Sequence, residues 1–578
     1  MLFLAALLMA VTSLKAQEEE EVNSQVFPEG SWGVYSWTKI TGVDKNSAPL
    51  IKGGPIIERW ANLEPKDGVY KFDTKIDPLL QKAADNDFYC FIMVWVAGPS
   101  KTGWTPEWLY DQCGIPEVQC GRGKFPYYFH LYEPGQPPVT GSYQFYYFRL
   151  INALAQHLLN LPANLRDRVV FIQCAEGSTG DGYCYKNGVL DGYKQYDISR
   201  EDWNVFRLDA WKEFKAAFSI GGKLQIPLLT NDDANDNRLR QWMLDELDLA
   251  IGIKNGMFSH GYQISDAQER LRKHLEFKQQ AEAAGKVFFA RGEMDGEMHK
   301  FGWIKKNKEQ GLCWSAIYAT HCGLYHWNVP QDAVKLSEYK DAFNFFNRHA
   351  GQRNPENAKN AFCVFYQGLD ASDTQAFPES QYGTASRKNE QRYINICNAY
   401  SAYGANMADP EAATGMGMKN RSATGYNDAG WKILKENFQR HITQIDAEET
   451  SSAWWQIDES IYGRFARGFE PSANKNTMYF DVDDKYFEKN RLKEDGNLRV
   501  KIIYYAKDGG SWELKYHAQD RSMKTALVVN NNSSQDWVSA EVTLTDALLN
   551  NGGDRGADLI LQNTGGTSCK FHLIGLTK

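Results

Sequence analysis

Two glutamates in this chain stand where paired carboxyl chemistry could be done. Glu176 follows the apolar run Val169–Ile172 and opens a glycine-rich turn, in VVFIQCAEGSTGDG. Glu293 follows Val287–Ala290, in VFFARGEMDGE. A short run that is apolar on every side reads as a strand buried on both faces, as in a parallel sheet. A carboxylate just past the C-terminal end of such a strand sits where α/β barrels keep their chemistry. Two carboxyls at one barrel mouth can cleave a glycosidic bond. One attacks the anomeric carbon, and the other protonates the leaving oxygen and then activates water. The division requires one carboxyl ionised and the other with a raised pKa. Glu293 is the expected nucleophile and Glu176 the expected acid/base. Asp181, Asp295 and Glu297 are the local competitors.

The elements that must position these residues follow from periodicity. Strands are expected at Ser31–Trp37, Pro55–Trp60, Phe88–Val96, Val169–Ile172, Leu224–Thr230 and Gly323–Asn328, and another opens Val287–Glu297 with Glu293 after it. A sixth strand end is placed in Gly256–Tyr262, carrying His260 and Tyr262. Helices are expected between them, at Asp73–Asn86, at Tyr143–Leu161 and over 200–218 with Ser199 as N-cap. A further helix runs from a capping box at Ser265–Gln268 to a glycine stop at Gly285, and another lies near Trp303–Thr320. Strands alternating with helices argue for parallel βα units and, at this number, a (β/α)8 TIM barrel over 18–350. Glu176 then follows the fourth strand and Glu293 the seventh. Residues 351–451 read as a barrel extension, with a helix at Trp431–Ile445. From 452 to 578, short strands between Asn, Gly and Asp turns predict a C-terminal antiparallel β-sandwich.

Composition narrows the partners. The chain has 578 residues, which suits two or three domains. Its net charge of −8 and lack of a basic stripe speak against nucleic acid. Residues 1–17, MLFLAALLMAVTSLKAQ, read as a cleavable signal peptide, with export to the periplasm or the medium expected. No later apolar run is long enough for a membrane span. Export permits disulfides, with Cys113–Cys120 the first-choice pair and Cys174–Cys184 the second. No Cys/His set has zinc spacing, and FDVDDKYF at 480–487 lacks the EF-hand pattern. No metal or cofactor is implied. Aromatic residues make up 13% of the chain, which suits a sugar-binding cleft and equally a large aromatic core.

Arg59–Phe72, RWANLEPKDGVYKF, resembles the second βα unit of clan-A glycoside hydrolases, most of all the β-galactosidase type of family 42. Trp104-Thr-Pro-Glu-Trp108-Leu109 continues the resemblance, which covers roughly 31–350. In that clan the acid/base follows strand four and the nucleophile strand seven, matching Glu176 and Glu293. The clan has Asn immediately before the acid/base, whereas Ala175 stands here, leaving Gln173 or Asn231 to meet the sugar 2-hydroxyl. The resemblance further implies that Arg59 orients the nucleophile and that Trp327 is a sugar platform. His260 and Tyr262 would contact the nucleophile or the sugar, and Trp37 and Trp95 would line the cleft. Each of these also has a purely structural reading as a core or ion-pair residue. The implied substrate is a β-linked galactoside of a polysaccharide such as carrageenan, agar or porphyran, or its oligosaccharides. The alternatives are another β-glycan (glucan, mannan or xylan) or a non-catalytic glycan-binding protein on a decayed barrel.

Overall fold

The computed structural model describes residues 26–578 apart from 38–39, 101–102, 186–193, 232, 234, 256–267, 295–306, 331, 407–427, 458–462, 492–495 and 532. Two compact units divide the chain, one holding a parallel barrel and the other a pair of antiparallel sheets.

The barrel is closed by eight strands, β1 (Gly33–Ser36), β2 (Gly53–Arg59), β3 (Tyr89–Trp95), β4 (Val169–Gln173), β5 (Leu228–Thr230), β6 (Ile251–Asn255), β7 (Phe288–Glu293) and β8 (Leu324–Val329). Every neighbouring pair is parallel, and β8 closes onto β1. Helices α1 (Asp77–Asp85), α2 (Tyr143–Leu159), α3 (Arg200–Ala217), α4 (Asn237–Glu246) and α5 (Gln268–Ala283) fall between successive strands. Helix α3 shows why its segment is helical. Ser199 caps it by accepting from the Asp202 amide, and Glu201 and Asp202 complement the N-terminal dipole. Its buried Trp203, Arg207, Trp211 and Phe214 recur at helical spacing.

The expected strands agree with seven of these eight to within a few residues. The sixth differs: it is Ile251–Asn255, and the Gly256–Tyr262 stretch lies outside the described residues. Ile251 and Ile253 pair with both Leu228–Thr230 and Phe288–Ala290, as a central strand does.

Side chains from alternate strand positions fill the lumen. Phe91 stacks on Phe171 with ring centroids 4.8 Å apart, and Phe171 meets Phe289 at 5.6 Å and His326 at 5.1 Å. Phe27 packs on Phe289 at 4.9 Å from the segment before β1. This aromatic layer is the floor on which the polar residues of the strand ends stand.

The second unit is a sandwich. Its strands are β9 (Asn360–Val364), β10 (Phe438–Arg440), β11 (Ile442–Ile445), β12 (Ser452–Trp454), β13 (Ala466–Gly468), β14 (Thr477–Val482), β15 (Leu498–Tyr505), β16 (Ser511–His517), β17 (Met523–Asn530), β18 (Trp537–Leu544), β19 (Leu559–Asn563) and β20 (Lys570–Thr577). One sheet runs β10-β9-β20-β13-β12, with β15 on β20 and β18 on β15; the other runs β11-β14-β19-β16-β17. A single core takes Val500, Ile502 and Phe571 from the first and Phe480, Trp512 and Leu514 from the second. The C-terminal strands fall where the alternation of residues places them. The expected helix at Trp431–Ile445 does not form. Phe438 pairs with Val364 and Ile442 with Val482, so tertiary pairing overrides the local helical pattern. The sandwich therefore begins at Asn360, within the stretch read as an extension.

All ten cysteines are free thiols, so neither expected disulfide is present. Cys120 closes a small hairpin opposite Gly123, whereas Cys113 is tied by its amide to Trp108 of a separate helical turn.

Phe171 contacts rings from three other strands at the centre of the barrel floor, so Phe171→Ala should lower stability by about 3–5 kcal/mol. Chemical denaturation of the two proteins measures it.

Candidate active site

Above the aromatic floor, the C-terminal ends of β4, β6, β7 and β8 bring charged and amide side chains together. Arg291 on β7 is fully buried. Its Nε donates to Asn328 Oδ1 at 2.7 Å, Nη1 to Gln173 Oε1 at 3.1 Å, and Nη2 to Glu293 Oε2 at 3.0 Å. The guanidinium lies 4.7 Å from the centre of the Phe91 ring and 4.6 Å from that of Trp37. Three strands thus converge on one cation, held between two aromatic faces.

Glu293 ends β7, and its side chain is 11% exposed. Its other oxygen, Oε1, is 3.1 Å from Lys254 Nζ. Lys254 sits opposite Arg291 in the β6–β7 register. Burial by itself would raise the Glu293 carboxyl. Lys254 and Arg291 outweigh it and hold the group below the usual carboxylate value. Glu293 is therefore an ionised, oriented carboxylate at the barrel mouth.

Lys254 Nζ also donates to Asp181 Oδ1 at 2.8 Å. Burial pulls its ammonium down, but Glu293 and Asp181 more than compensate, and it stays charged. Since Asp181 and Glu293 place oxygens within 2.8 and 3.1 Å of the same nitrogen, those oxygens are no more than about 6 Å apart, within reach of the roughly 5–5.5 Å spacing of a retaining carboxyl pair.

Asp181 is carried on a tightly built turn. Thr179 and Gly180 both adopt left-handed backbone, with φ of 54° and 72°. The φ of Gly180 disfavours any side chain there, and a Cβ would press on Met93 Sδ at 2.2 Å. The Gly180 carbonyl accepts from Gln173 Nε2 at 3.1 Å and from Asn231 Nδ2 at 2.7 Å. Trp203 and Arg200 of α3 donate to the Gly182 carbonyl.

No protein-family model matches the chain, and no curated protein matches it. Among solved structures, similarity is found to a glucosidase from Croceicoccus marinus (TM-score 0.29, 10% identity, 92% of this chain and 90% of that one). It is also found to a GH30 endoxylanase from Clostridium papyrosolvens C71 (TM-score 0.32, 9% identity, 94% and 96%). A third is a β-galactosidase from the psychrophilic Marinomonas ef1 (TM-score 0.32, 11% identity, 55% and 59%). At these scores the similarity carries no part of the assignment.

The other expected site residues are distributed unevenly. Glu176 is fully buried, away from the lumen. Its Oε1 accepts from Trp211 Nε1, and Arg207 Nε stands 3.8 Å from Oε2; both partners belong to α3. Oε2 has no hydrogen-bond partner among the described residues. Burial raises the Glu176 carboxyl above its ordinary value, against the opposing pull of Arg207. Asn231 holds the Asp181 turn, as above. Trp37 lies on Arg291. Arg59 does not reach Glu293: its guanidinium packs 4.3 Å from the Trp104 ring centre, and Trp104 in turn packs on Trp95 at 5.1 Å. Arg291, two residues before Glu293, takes the orienting part expected of Arg59. Trp327 is fully buried and presents no face to a ligand. It alternates with His326 and Asn328, which face the lumen, so it points the other way. His260 and Tyr262 lie outside the described residues.

Sequence reading passed over Lys254, Arg291 and Asn328. The signal was present in IGIKN and FFARGE, where a lone cation interrupts a run otherwise apolar enough to be buried. A buried cation needs a partner, and the partner marks the site.

The raised Glu176 carboxyl makes a signed prediction. A group whose folded pKa is raised contributes stability below its unfolded pKa and loses it as pH rises through the folded value. Relative to Glu176→Gln, the wild type should lose stability as pH rises above the ordinary carboxyl value of 4.5. Thermal unfolding of both proteins across pH 4–8 reads the difference.

Proposed function

We propose that this protein is an exported retaining glycoside hydrolase that cleaves β-linked galactosides in a polysaccharide or its oligosaccharides. One observation carries the reading: Glu293, ionised between Lys254 and Arg291, stands at the C-terminal mouth of a closed (β/α)8 barrel beside a second carboxyl. A double displacement needs these parts. The nucleophile must be anionic and aimed, and Arg291 fixes one of its oxygens while Lys254 holds the other. A carboxyl group then delivers the proton to the leaving oxygen, with Asp181 and Glu176 the candidates on the turn after β4.

The substrate class rests on the resemblance of Arg59–Phe72 to family-42 β-galactosidases. The electrostatics agree with a neutral ring at the point of cleavage. Lys254 and Arg291 are each already matched by a carboxylate, so a charged substituent there would displace an existing ion pair. Export rests on the apolar N-terminal run Leu2–Val11.

Hydrolysis of β-galactan, β-glucan, β-mannan and β-xylan oligosaccharides by wild type and Glu293→Gln tests this reading. Galacto-oligosaccharides should be cleaved with retention at the anomeric centre, followed by NMR. Glu293→Gln should lose on the order of 10^3-fold or more in kcat. Cleavage confined to another panel member would move the substrate. Full activity in Glu293→Gln would remove the mechanism.

A further inference from the structure

We propose that the proton donor and acceptor of this reaction is Asp181 acting with Lys254, and that Glu176 is a positioning residue of the turn that carries Asp181. The inference rests on the glycosidase reading and specifies its second carboxyl.

Geometry separates the two candidates. The Glu176 carboxyl has no exposed surface, and its contacts, Trp211 and Arg207, belong to the helix behind the strand. A proton donor must come within hydrogen-bond reach of the leaving oxygen. For Glu176 that would mean leaving the indole and guanidinium that hold it. Asp181 is 24% exposed and shares Lys254 with Glu293. It meets the nucleophile across one ammonium, with the two oxygens no more than about 6 Å apart.

Lys254 gives Asp181 a proton to deliver. In the resting site the ammonium is flanked by two carboxylates, each within 3.1 Å. When Glu293 attacks the anomeric carbon, the bond from that carbon to the leaving oxygen breaks and its electron pair stays on the oxygen. Lys254 passes a proton to Asp181 Oδ1, and Asp181 passes that same proton on to the leaving oxygen. The products are a glycosyl ester on Glu293, the Asp181 carboxylate and a neutral Lys254 amine. The timing follows from charge: ester formation removes one of the two anions that held the ammonium proton, in a site only 13% exposed. In the second step water attacks the anomeric carbon and the ester bond breaks. The water proton returns through Asp181 to Lys254, and Glu293 regains its charge. No further reagent is consumed.

Glu176 and Asn231 serve this arrangement indirectly. Arg207 beside Glu176 donates to the Asn231 carbonyl, and the Asn231 side chain holds Gly180, next to Asp181.

The test uses the full-length enzyme and aryl β-galactosides of graded leaving-group acidity. Proteins compared are wild type, Asp181→Ala, Asp181→Asn, Lys254→Met and Glu176→Gln. Asp181→Ala should lose about 10^2–10^4-fold in kcat/KM on phenyl glycosides. It should lose far less on dinitrophenyl glycosides, which need no proton. Azide should restore its turnover and yield the β-glycosyl azide. Lys254→Met should share the steep leaving-group dependence without azide rescue, because the Asp181 carboxylate still blocks the anion. Glu176→Gln should show no change in leaving-group dependence. Azide rescue in Glu176→Gln, with Asp181→Ala and Asp181→Asn near wild type, overturns the proposal. Labelling by a 2-deoxy-2-fluoro galactoside keeps the two readings distinct. Wild type labelled at Glu293 while the Asp181 variants are unaffected sinks this assignment alone. Wild type that is neither active nor labelled removes the glycosidase reading and this assignment together.

Discussion

The barrel end is organised around a guanidinium that has no access to water. An unpaired cation in such a place would cost several kcal/mol, and the chain meets that cost with three donors to three strands. Arg291 takes an amide oxygen from Gln173 on β4, another from Asn328 on β8 and a carboxylate from Glu293 on its own strand. Asn328 in turn donates to the Ser36 carbonyl on β1. The polar network is therefore also a register lock: slipping any of these strands by one residue would turn its partner to the far side of the sheet. Beneath it, the Phe91–Phe171–Phe289 layer gives the guanidinium an aromatic face instead of water.

Two glutamates of similar sequence setting are shifted in opposite directions by their neighbours. Glu293 lies between two cations that outweigh its desolvation, and it is held as an anion. Glu176 has an indole N–H and a more distant guanidinium, and desolvation wins. The first is held by Lys254 and Arg291. The second is a buried carboxyl tied to α3. Neither state follows from position after a strand, since both residues occupy that position.

Much of the fold was legible because it depends on local period. Apolar runs such as Phe88–Val96 and Val287–Ala290 are buried on both faces and can only be central strands. The alternating Leu498–Tyr505 and Ser511–His517 segments bury one face each, as sandwich strands do. Trp431–Ile445 was misleading for a physical reason: its residues tolerate a helix, but Phe438 and Ile442 gain more from pairing across the two sheets. The described part of the sixth barrel strand, Ile251–Asn255, carries Lys254 within its apolar pattern, and that lysine pairs with Glu293.

The sequence by itself determined the architecture, the position of Glu293 at the end of the seventh strand and the glycine turn after the fourth. Those depend on residue period, on φ > 0 at Gly180 and on short-range order along the chain. Only the tertiary structure decided which side chains share charge. Lys254, Asp181, Gln173, Arg291 and Asn328 are scattered over five segments, and nothing local links them. Barrel closure brings them within 3.1 Å contacts, and the Coulomb energy at that distance in a dry site is what sets the state of Glu293.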